Sequence, residues 1–336
     1  MEILVWGAGA IGGTVAAHLA RAGHALTLVD CAADHVAAVN ADGLRITGPI
    51  AEFAVRVPAL LPGEVRGRFE TVLLATKAQD TAGAARALEP SLSRAGCVVS
   101  LQNGLNELVL EQILGRERTV GAFVNFGADY IAPGTIHYAG RGAVVLGEVD
   151  GHLTPRIQAL QRVFLDFDAG ASVTANIWGY LWGKEAYGAM LFATALTNDS
   201  IADALADPRY RGLYVALGTE VLAVAQARGV VPEAFDGFDP RAFLPGTPRV
   251  VSESCLNELV AFNRRSAKTH SGIWRDLAVR KRRTEVDAQL GAIVSLGREA
   301  GAPTPLTARL VELIHDVEDG GRQQSPATLD LLNACL

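Results

Sequence analysis

The residues with the clearest chemical meaning stand near the start of the chain. Gly7-Ala8-Gly9-Ala10-Ile11-Gly12 spells GxGxxG between an apolar strand-like run, Glu2 to Trp6, and a helical pattern, Ile11 to Arg21. In that setting each glycine has a separate task. Gly7 permits a tight turn, Gly9 lets the backbone approach a pyrophosphate, and Gly12 lets the helix pack on the strand, while the amides of Ala10, Ile11 and Gly12 face the anion. Asp30 closes the next apolar run, Ala25 to Val29, 18 residues after Gly12. A carboxylate there accepts hydrogen bonds from ribose hydroxyls and repels a 2′-phosphate. The expected cofactor is a dinucleotide, with NAD favoured over NADP; Lys77 and Arg45 are the cations that would meet a phosphate in the other case.

Three more clusters carry reactive or binding side chains. Thr76-Lys77 and Leu101-Gln102-Asn103-Gly104 each follow an apolar run, so both fall at the carboxyl ends of strands, where open α/β sheets bind ligands. Trp182-Gly183-Lys184-Glu185 lies early on a long helical stretch. Thr269 to Asp276, with Ser271 and Arg275, precedes Arg280-Lys281-Arg282-Arg283-Thr284-Glu285-Val286-Asp287. The basic run reads as a solvated face, although Arg275 or one arginine of the run suits a substrate carboxylate through bidentate contacts. His270 lies nearest the expected site and could assist proton transfer or cap a helix, the structural role being favoured, and His137 reads as packing after the Pro133-Gly134 turn.

The elements that must position these residues fall into two kinds. Up to residue 174, strand and helix alternate: Thr71 to Thr76 and Gly96 to Leu101 join the two strands already named, and the continuous apolar runs imply a parallel sheet covered on both faces. Gly43 to Val57 reads as a hairpin insertion. Thr119 to Gly127, Thr135 to Tyr138 and Ala143 to Gly147 are expected to continue the sheet, with turns at Pro133-Gly134 and Gly140-Arg141-Gly142. From residue 175 to 336 the pattern is helical, over Ile177 to Thr197, Arg211 to Gly229, Ser252 to Asn263, Thr284 to Ala300 and Thr304 to Val317, with Pro232 to Pro248 irregular. The expected fold is α/β: a Rossmann-like dinucleotide-binding domain over 1–174 and an all-α domain over 175–336.

Composition narrows the partners. The 336 residues are 49% hydrophobic and 20% charged, enough apolar material for two compact domains. Lys and Arg total 30 against 36 Asp and Glu, a net charge of −6, which disfavours nucleic acid and anionic lipid and leaves small molecules as the expected partners. Cys31, Cys97, Cys255 and Cys335 are widely spaced with no CxxC pair, arguing against a disulfide framework or a structural metal and fitting a reducing cytoplasm. No basic segment precedes Ile3 to Val5, so a signal peptide is not expected, and the longest apolar run, Ala186 to Leu196, is short of the roughly 18 residues a bilayer span needs.

Read together and in order, Gly7 to Gly12, Thr76-Lys77-Ala78-Gln79, Leu101 to Gly104, Pro133-Gly134-Thr135-Ile136-His137, Trp182-Gly183-Lys184, Ser271 to Asp276 and Thr284 to Asp287 resemble the ketopantoate reductase (2-dehydropantoate 2-reductase) family over nearly the whole chain. The resemblance implies a Rossmann domain joined to a helical domain, with the active site in the cleft between them. It implies Lys184 as general acid, Asn103 placing nicotinamide and substrate, Glu285 near the lysine and ligand, and Lys77 near the cofactor. By resemblance alone, the helical half is also the candidate for homodimerisation.

Departures from the family pattern bear on the substrate. Where the family commonly carries asparagines one and two turns after the lysine, this chain has Gly188 and Phe192. Its paired serine motif reads Ser271-Gly272, Asp276 to Glu285 holds one residue more than usual, and Asp30-Cys31 stands where NADP-using members place a basic residue. The implied reaction is hydride transfer between a nicotinamide and the carbonyl of a 2-oxo acid, 2-dehydropantoate or a relative. The alternatives are an NAD-dependent catabolic secondary-alcohol dehydrogenase and a non-catalytic dinucleotide-binding redox sensor.

Overall fold

The computed structural model describes residues 2–265 and 268–336, and the chain divides into two compact units, Met1–Ile177 and Trp178–Leu336. The first is built on an eight-stranded sheet. Its strands are β1 (Ile3–Trp6), β2 (Leu26–Val29), β5 (Ala59–Leu60), β6 (Phe69–Leu74), β7 (Leu92–Ser100), β8 (Thr119–Val124), β11 (Val144–Glu148) and β12 (Ser172–Val173), in the order β12-β11-β8-β7-β6-β1-β2-β5. From β5 to β8 all pairs are parallel, with Val5 opposite both Leu28 and Leu73; β11 then runs antiparallel to β8. The parallel part has the doubly wound order, which reverses between β1 and β6.

Two-sided burial explains the unbroken apolar runs. Ile3, Val5, Leu28 and Val99 enter a core beneath α1 (Ala10–Arg21), α2 (Ala33–Asp42) and α5 (Pro155–Leu165). Leu4, Trp6, Val29 and Val98 enter another beneath α3 (Thr81–Leu88) and α4 (Glu107–Leu114). Each such side chain contributes roughly 1.5–3 kcal/mol of transfer free energy by leaving water.

One expectation is corrected. The segment Thr135 to Tyr138 does not continue the main sheet. It belongs to β10 (Thr135–Gly140), which joins β3 (Leu44–Thr47), β4 (Phe53–Val55) and β9 (Gly127–Ala132) in a separate sheet ordered β4-β3-β10-β9. The hairpin expected within Gly43 to Val57 supplies β3 and β4, paired antiparallel with Leu44 opposite Val55. The reason for the second sheet is the alternating pattern of β10: Ile136 and Tyr138 are buried while Thr135 and His137 are half-buried, a one-faced arrangement unlike the fully buried main strands.

The second unit is helical: α6 (Ile177–Thr194), α7 (Ile201–Ala206), α8 (Arg211–Ala227), α9 (Arg249–Arg265), α10 (Gly272–Ala278), α11 (Ala292–Ala300), α12 (Pro305–Glu318) and α13 (Pro326–Asn333). Helix α8 is central, with Leu213, Tyr214, Leu217, Val221 and Leu222 fully buried and α9, α11 and α12 packed on it. Its Glu220 carboxylate accepts hydrogen bonds from the Leu306 and Thr307 amides (2.9 and 2.8 Å), capping α12 and tying two helices together. The expected helix from Thr284 to Ala300 forms only in part: a single π-type turn, Asp287–Gly291, precedes α11. Among the described residues no helix is long and apolar enough to cross a membrane.

Candidate active site

In the first unit the carboxyl ends of β1, β6 and β7, three adjacent parallel strands, bring Gly7, Lys77 and Asn103 to one edge of the sheet. Gly7 adopts φ +99°, and a Cβ there would stand 2.7 Å from the Ala75 carbonyl carbon, just past β6. A Cβ at Gly12 would lie 2.0 Å from the Gly7 oxygen. Gly9 is different, because a Cβ there meets nothing within 4 Å. Gly9 is also the N-cap of α1, which has no side-chain cap and no acidic residue in its first turn. The turn is thus closed by Gly7 and Gly12 and open at Gly9, and its helix end favours an anion; the residues present fit a dinucleotide pyrophosphate carried on the Ala10, Ile11 and Gly12 amides.

Asp30 is fastened beside this turn. Its Oδ2 accepts from the Ala8 amide and its Oδ1 from the Ala32 amide, both at 2.9 Å. Each carboxylate oxygen keeps a further lone-pair direction, so the residue can be held by the protein and still accept from a ribose diol.

His35, which sequence reasoning passed over, supports the same turn. It is 1% exposed; its Nδ1 accepts from the Gly134 amide at 2.9 Å, so its Nε2 carries the proton and donates to the Ala8 carbonyl, also at 2.9 Å. The Pro133-Gly134 turn is therefore clasped to the glycine loop.

Behind Lys77 and Asn103 lies a polar lattice. Buried Gln102 donates through Nε2 to the Thr76 carbonyl at 3.1 Å and to Thr81 Oγ1 at 2.8 Å. Thr81 donates to Asn106 Oδ1 at 2.9 Å, and Asn106 Nδ2 donates to the Asn103 carbonyl at 2.6 Å. These bonds fix the loops after β6 and β7 to each other and leave Asn103 exposed and Lys77 half-buried.

In the second unit Lys184 is half-buried on α6 between buried Gly183 and Glu185; Gly188, one turn on, is half-buried and Phe192 fully buried. Tyr187 exchanges hydrogen bonds with Asn263 on α9 at 3.1 and 3.3 Å, and burial pushes its phenol up to about 12 although the Asn263 bond draws it down. Ser271 caps α10, its Oγ accepting from the Trp274 amide at 3.1 Å; Arg275 follows, half-buried, on the same helix. Trp274 in turn donates to Asn198 Oδ1 at 3.1 Å, and the His270 ring lies 4.1 Å from its own. Glu285 is 8% exposed, and its carbonyl accepts from the Gln289 amide at 3.0 Å.

The basic run is exposed, yet it is more than a solvated face. Arg280 and Arg282 both reach buried Asp276 at 3.0 Å, and Arg283 reaches Glu318 at 2.8 Å. Glu318 also accepts from the Thr284 amide and hydroxyl, each at 2.7 Å, and contacts His315 at 2.8 Å. Burial pushes the Glu318 carboxyl up, but these bonds outweigh it and hold the group below its ordinary range. The run thereby pins the segment that carries Glu285. Among the described residues no group of three or more His, Cys, Asp or Glu gathers as a metal site.

Comparison with known proteins matches both units. A sequence model of the ketopantoate reductase PanE/ApbA family covers residues 3–151, and one of the ketopantoate reductase PanE/ApbA C terminal covers residues 176–318. The 2-dehydropantoate 2-reductase of Halobacterium salinarum is 29% identical over 325 residues, spanning 96% of this chain and all of that protein. Its counterpart in Mesorhizobium japonicum is 28% identical over 339 residues, 94% of this chain and 97% of the other. The crystal structure of a PanE/ApbA family ketopantoate reductase from Ralstonia eutropha superposes with a TM-score of 0.80 at 28% identity, over 95% and 99% of the two chains. A D-mandelate dehydrogenase in ternary complex with NADH and anilino(oxo)acetate shares the fold, with a TM-score of 0.83 at 23% identity over 95% and 99%.

Proposed function

Because this chain belongs to the ketopantoate reductase PanE/ApbA family of NAD(P)-dependent oxidoreductases, we propose that it interconverts a 2-oxo acid, 2-dehydropantoate or a relative, and the corresponding 2-hydroxy acid. The glycine turn, Asp30 and Lys77 hold the dinucleotide, which when bound supplies the hydride for the carbonyl carbon. As negative charge develops on the carbonyl oxygen, the Lys184 ammonium stabilises it and delivers the proton that completes the hydroxyl. Glu285 lies near the lysine and ligand, Asn103 orients the reacting groups, and Ser271 and Arg275 face the substrate carboxylate. The observation that carries this reading is the retention, within a match over both units, of a glycine turn open at Gly9 together with Lys184 and Glu285.

The test is oxidation of NADH or NADPH across a panel of 2-oxo acids. Replacing Lys184 by Ala is expected to lower turnover by about 10²–10⁴-fold while cofactor binding persists; undiminished turnover would remove Lys184 from the role. Asp30 supports NAD over NADP, and a titration showing NADPH bound at least tenfold tighter, about 1.4 kcal/mol, would overturn that preference.

Gly188 favours a second reading. With no side chain one turn beyond Lys184, the pocket wall is less polar, which suits a secondary-alcohol dehydrogenase running with NAD⁺. Higher kcat/KM on apolar secondary alcohols than on hydroxy acids selects it. Tight dinucleotide binding with no turnover on either class selects a redox sensor, against which Lys184 and Glu285 speak. A cytoplasmic homodimer formed through the helical unit belongs to the first reading, and light scattering of the purified protein tests the dimer.

A further inference from the structure

Gly188 follows Lys184 by one turn of α6, so its missing side chain leaves a gap on the face from which the lysine projects. Among the described residues, apart from its chain neighbours and the backbone of α6 itself, the one heavy atom found within 4 Å of a Cβ built there is Gln289 Oε1, at 3.9 Å. Gln289 sits in the π-type turn one turn after Glu285, to whose carbonyl its own amide is bonded at 3.0 Å. Lys184 and Gly188 on one element thus stand across from Glu285 and Gln289 on another. Gln289 is 7% exposed, and among the described residues its carboxamide makes no hydrogen bond. The residue is mostly buried, but its amide atoms are not among the fully buried polar atoms left without a partner, so the head group stays accessible to a ligand, and it borders the gap beside the proposed general acid.

We infer that Gln289 determines substrate specificity: its carboxamide replaces the polar side chain absent at position 188 and binds a hydroxyl carried by the 2-oxo acid. The amide oxygen accepts from the hydroxyl, and the amide nitrogen is placed to donate to a second substrate oxygen. A hydroxylated 2-oxo acid satisfies this group, whereas an analogue lacking the hydroxyl leaves it unpaired. Sites built to bind a substrate hydroxyl reject the deoxy analogue for this reason. The inference rests on the 2-oxo acid reductase reading above.

The experiment compares kcat/KM for 2-dehydropantoate with that for 3,3-dimethyl-2-oxobutanoate, the same skeleton without the hydroxyl, in wild type, Gln289→Met, and the double variant Gly188→Asn with Gln289→Met. Methionine keeps the length and apolar stem of glutamine, and NADH binding by each variant shows that it is folded. The wild type is expected to prefer the hydroxylated acid by at least tenfold, Gln289→Met to lose about that factor, and the double variant to recover part of it. A merely structural role would lower both rates together and leave the ratio unmoved, and that result overturns the inference alone. A wild type without preference also overturns it, whereas a wild type inactive on both acids and the wider 2-oxo acid panel overturns the reductase reading with it.

Discussion

The glycine turn makes a prediction in which two neighbouring glycines respond oppositely to the same added methyl group. A Cβ at Gly12 would stand 2.0 Å from the Gly7 oxygen and 2.9 Å from the Ala75 Cβ, so neither α1 nor the β6 loop can keep its place. Overpacking of this kind costs about 1–3 kcal/mol, and in a domain of this size 1 kcal/mol moves the midpoint by roughly 2–4 °C. The expectation for Gly12→Ala is a Tm lower by about 2–12 °C. At Gly9 the Cβ meets nothing within 4 Å, and the backbone, at φ −70°, suits alanine. The folded protein loses only the difference between glycine and alanine as a helix cap, about 0.5–1 kcal/mol. The methyl instead occupies the space through which a pyrophosphate reaches the α1 amides, so the Kd for NADH should rise at least tenfold. Differential scanning fluorimetry gives the Tm, and quenching or enhancement of NADH fluorescence gives the Kd. A Gly9→Ala protein that binds NADH like wild type would refute the placement of the pyrophosphate at this turn, and an unchanged Tm for Gly12→Ala would refute the close approach of helix and strand.

Other expectations follow from particular contacts. Replacing His35 by Leu strands the Ala8 carbonyl and the Gly134 amide, two buried groups whose loss of partners costs roughly 2–6 kcal/mol together, measurable as a shift in urea midpoint. Replacing Asp30 by Ala releases the Ala8 and Ala32 amides and should weaken NADH more than NADPH, as read by titration. The helical unit should also show a pH signature. Burial alone would lower the pKa of His315, but the bonds to Glu318 and Asp287 raise it above 6.5, so its stabilisation is complete below that value and fades as pH rises through the raised pKa. Glu318, held below 4.5, contributes above that pH and is lost as pH falls through the lowered pKa. The pair together is strongest between about 4.5 and 6.5, and His315→Gln should flatten the alkaline fall in Tm; an unchanged profile would contradict the assignment.

The parts of the fold written in local steric demand were readable without coordinates. Glycines that must clear Ala75 and Gly7 announce themselves by type and spacing, and strands buried on both faces announce themselves as Ile3 to Trp6 and Phe69 to Leu74 do. What depends on distant partners was not readable. The alternation of Thr135 to Tyr138 marks a strand buried on one face but does not name its partners; β3, paired parallel with it, lies far back in the chain. His35 is a lone histidine in a helical stretch until the fold brings Gly134 to its Nδ1. Gln289 fell inside a stretch expected to be a regular helix, and periodicity does not separate that from a π-type turn. The run Arg280 to Arg283 shows its charge in sequence, but not that Asp276 and Glu318 wait beneath it.

The clasp formed by His35 has a consequence for cooperativity. It joins the glycine loop to the turn between β9 and β10, so these segments open together or not at all and behave as one unit of local unfolding. Any dinucleotide that binds only the closed loop adds RT ln(1 + [L]/Kd) to the free energy of opening, and the added protection appears in hydrogen exchange at the Gly134 amide as well as at Ala8. The turn between β9 and β10 would thus report whether a dinucleotide is bound at the glycine loop.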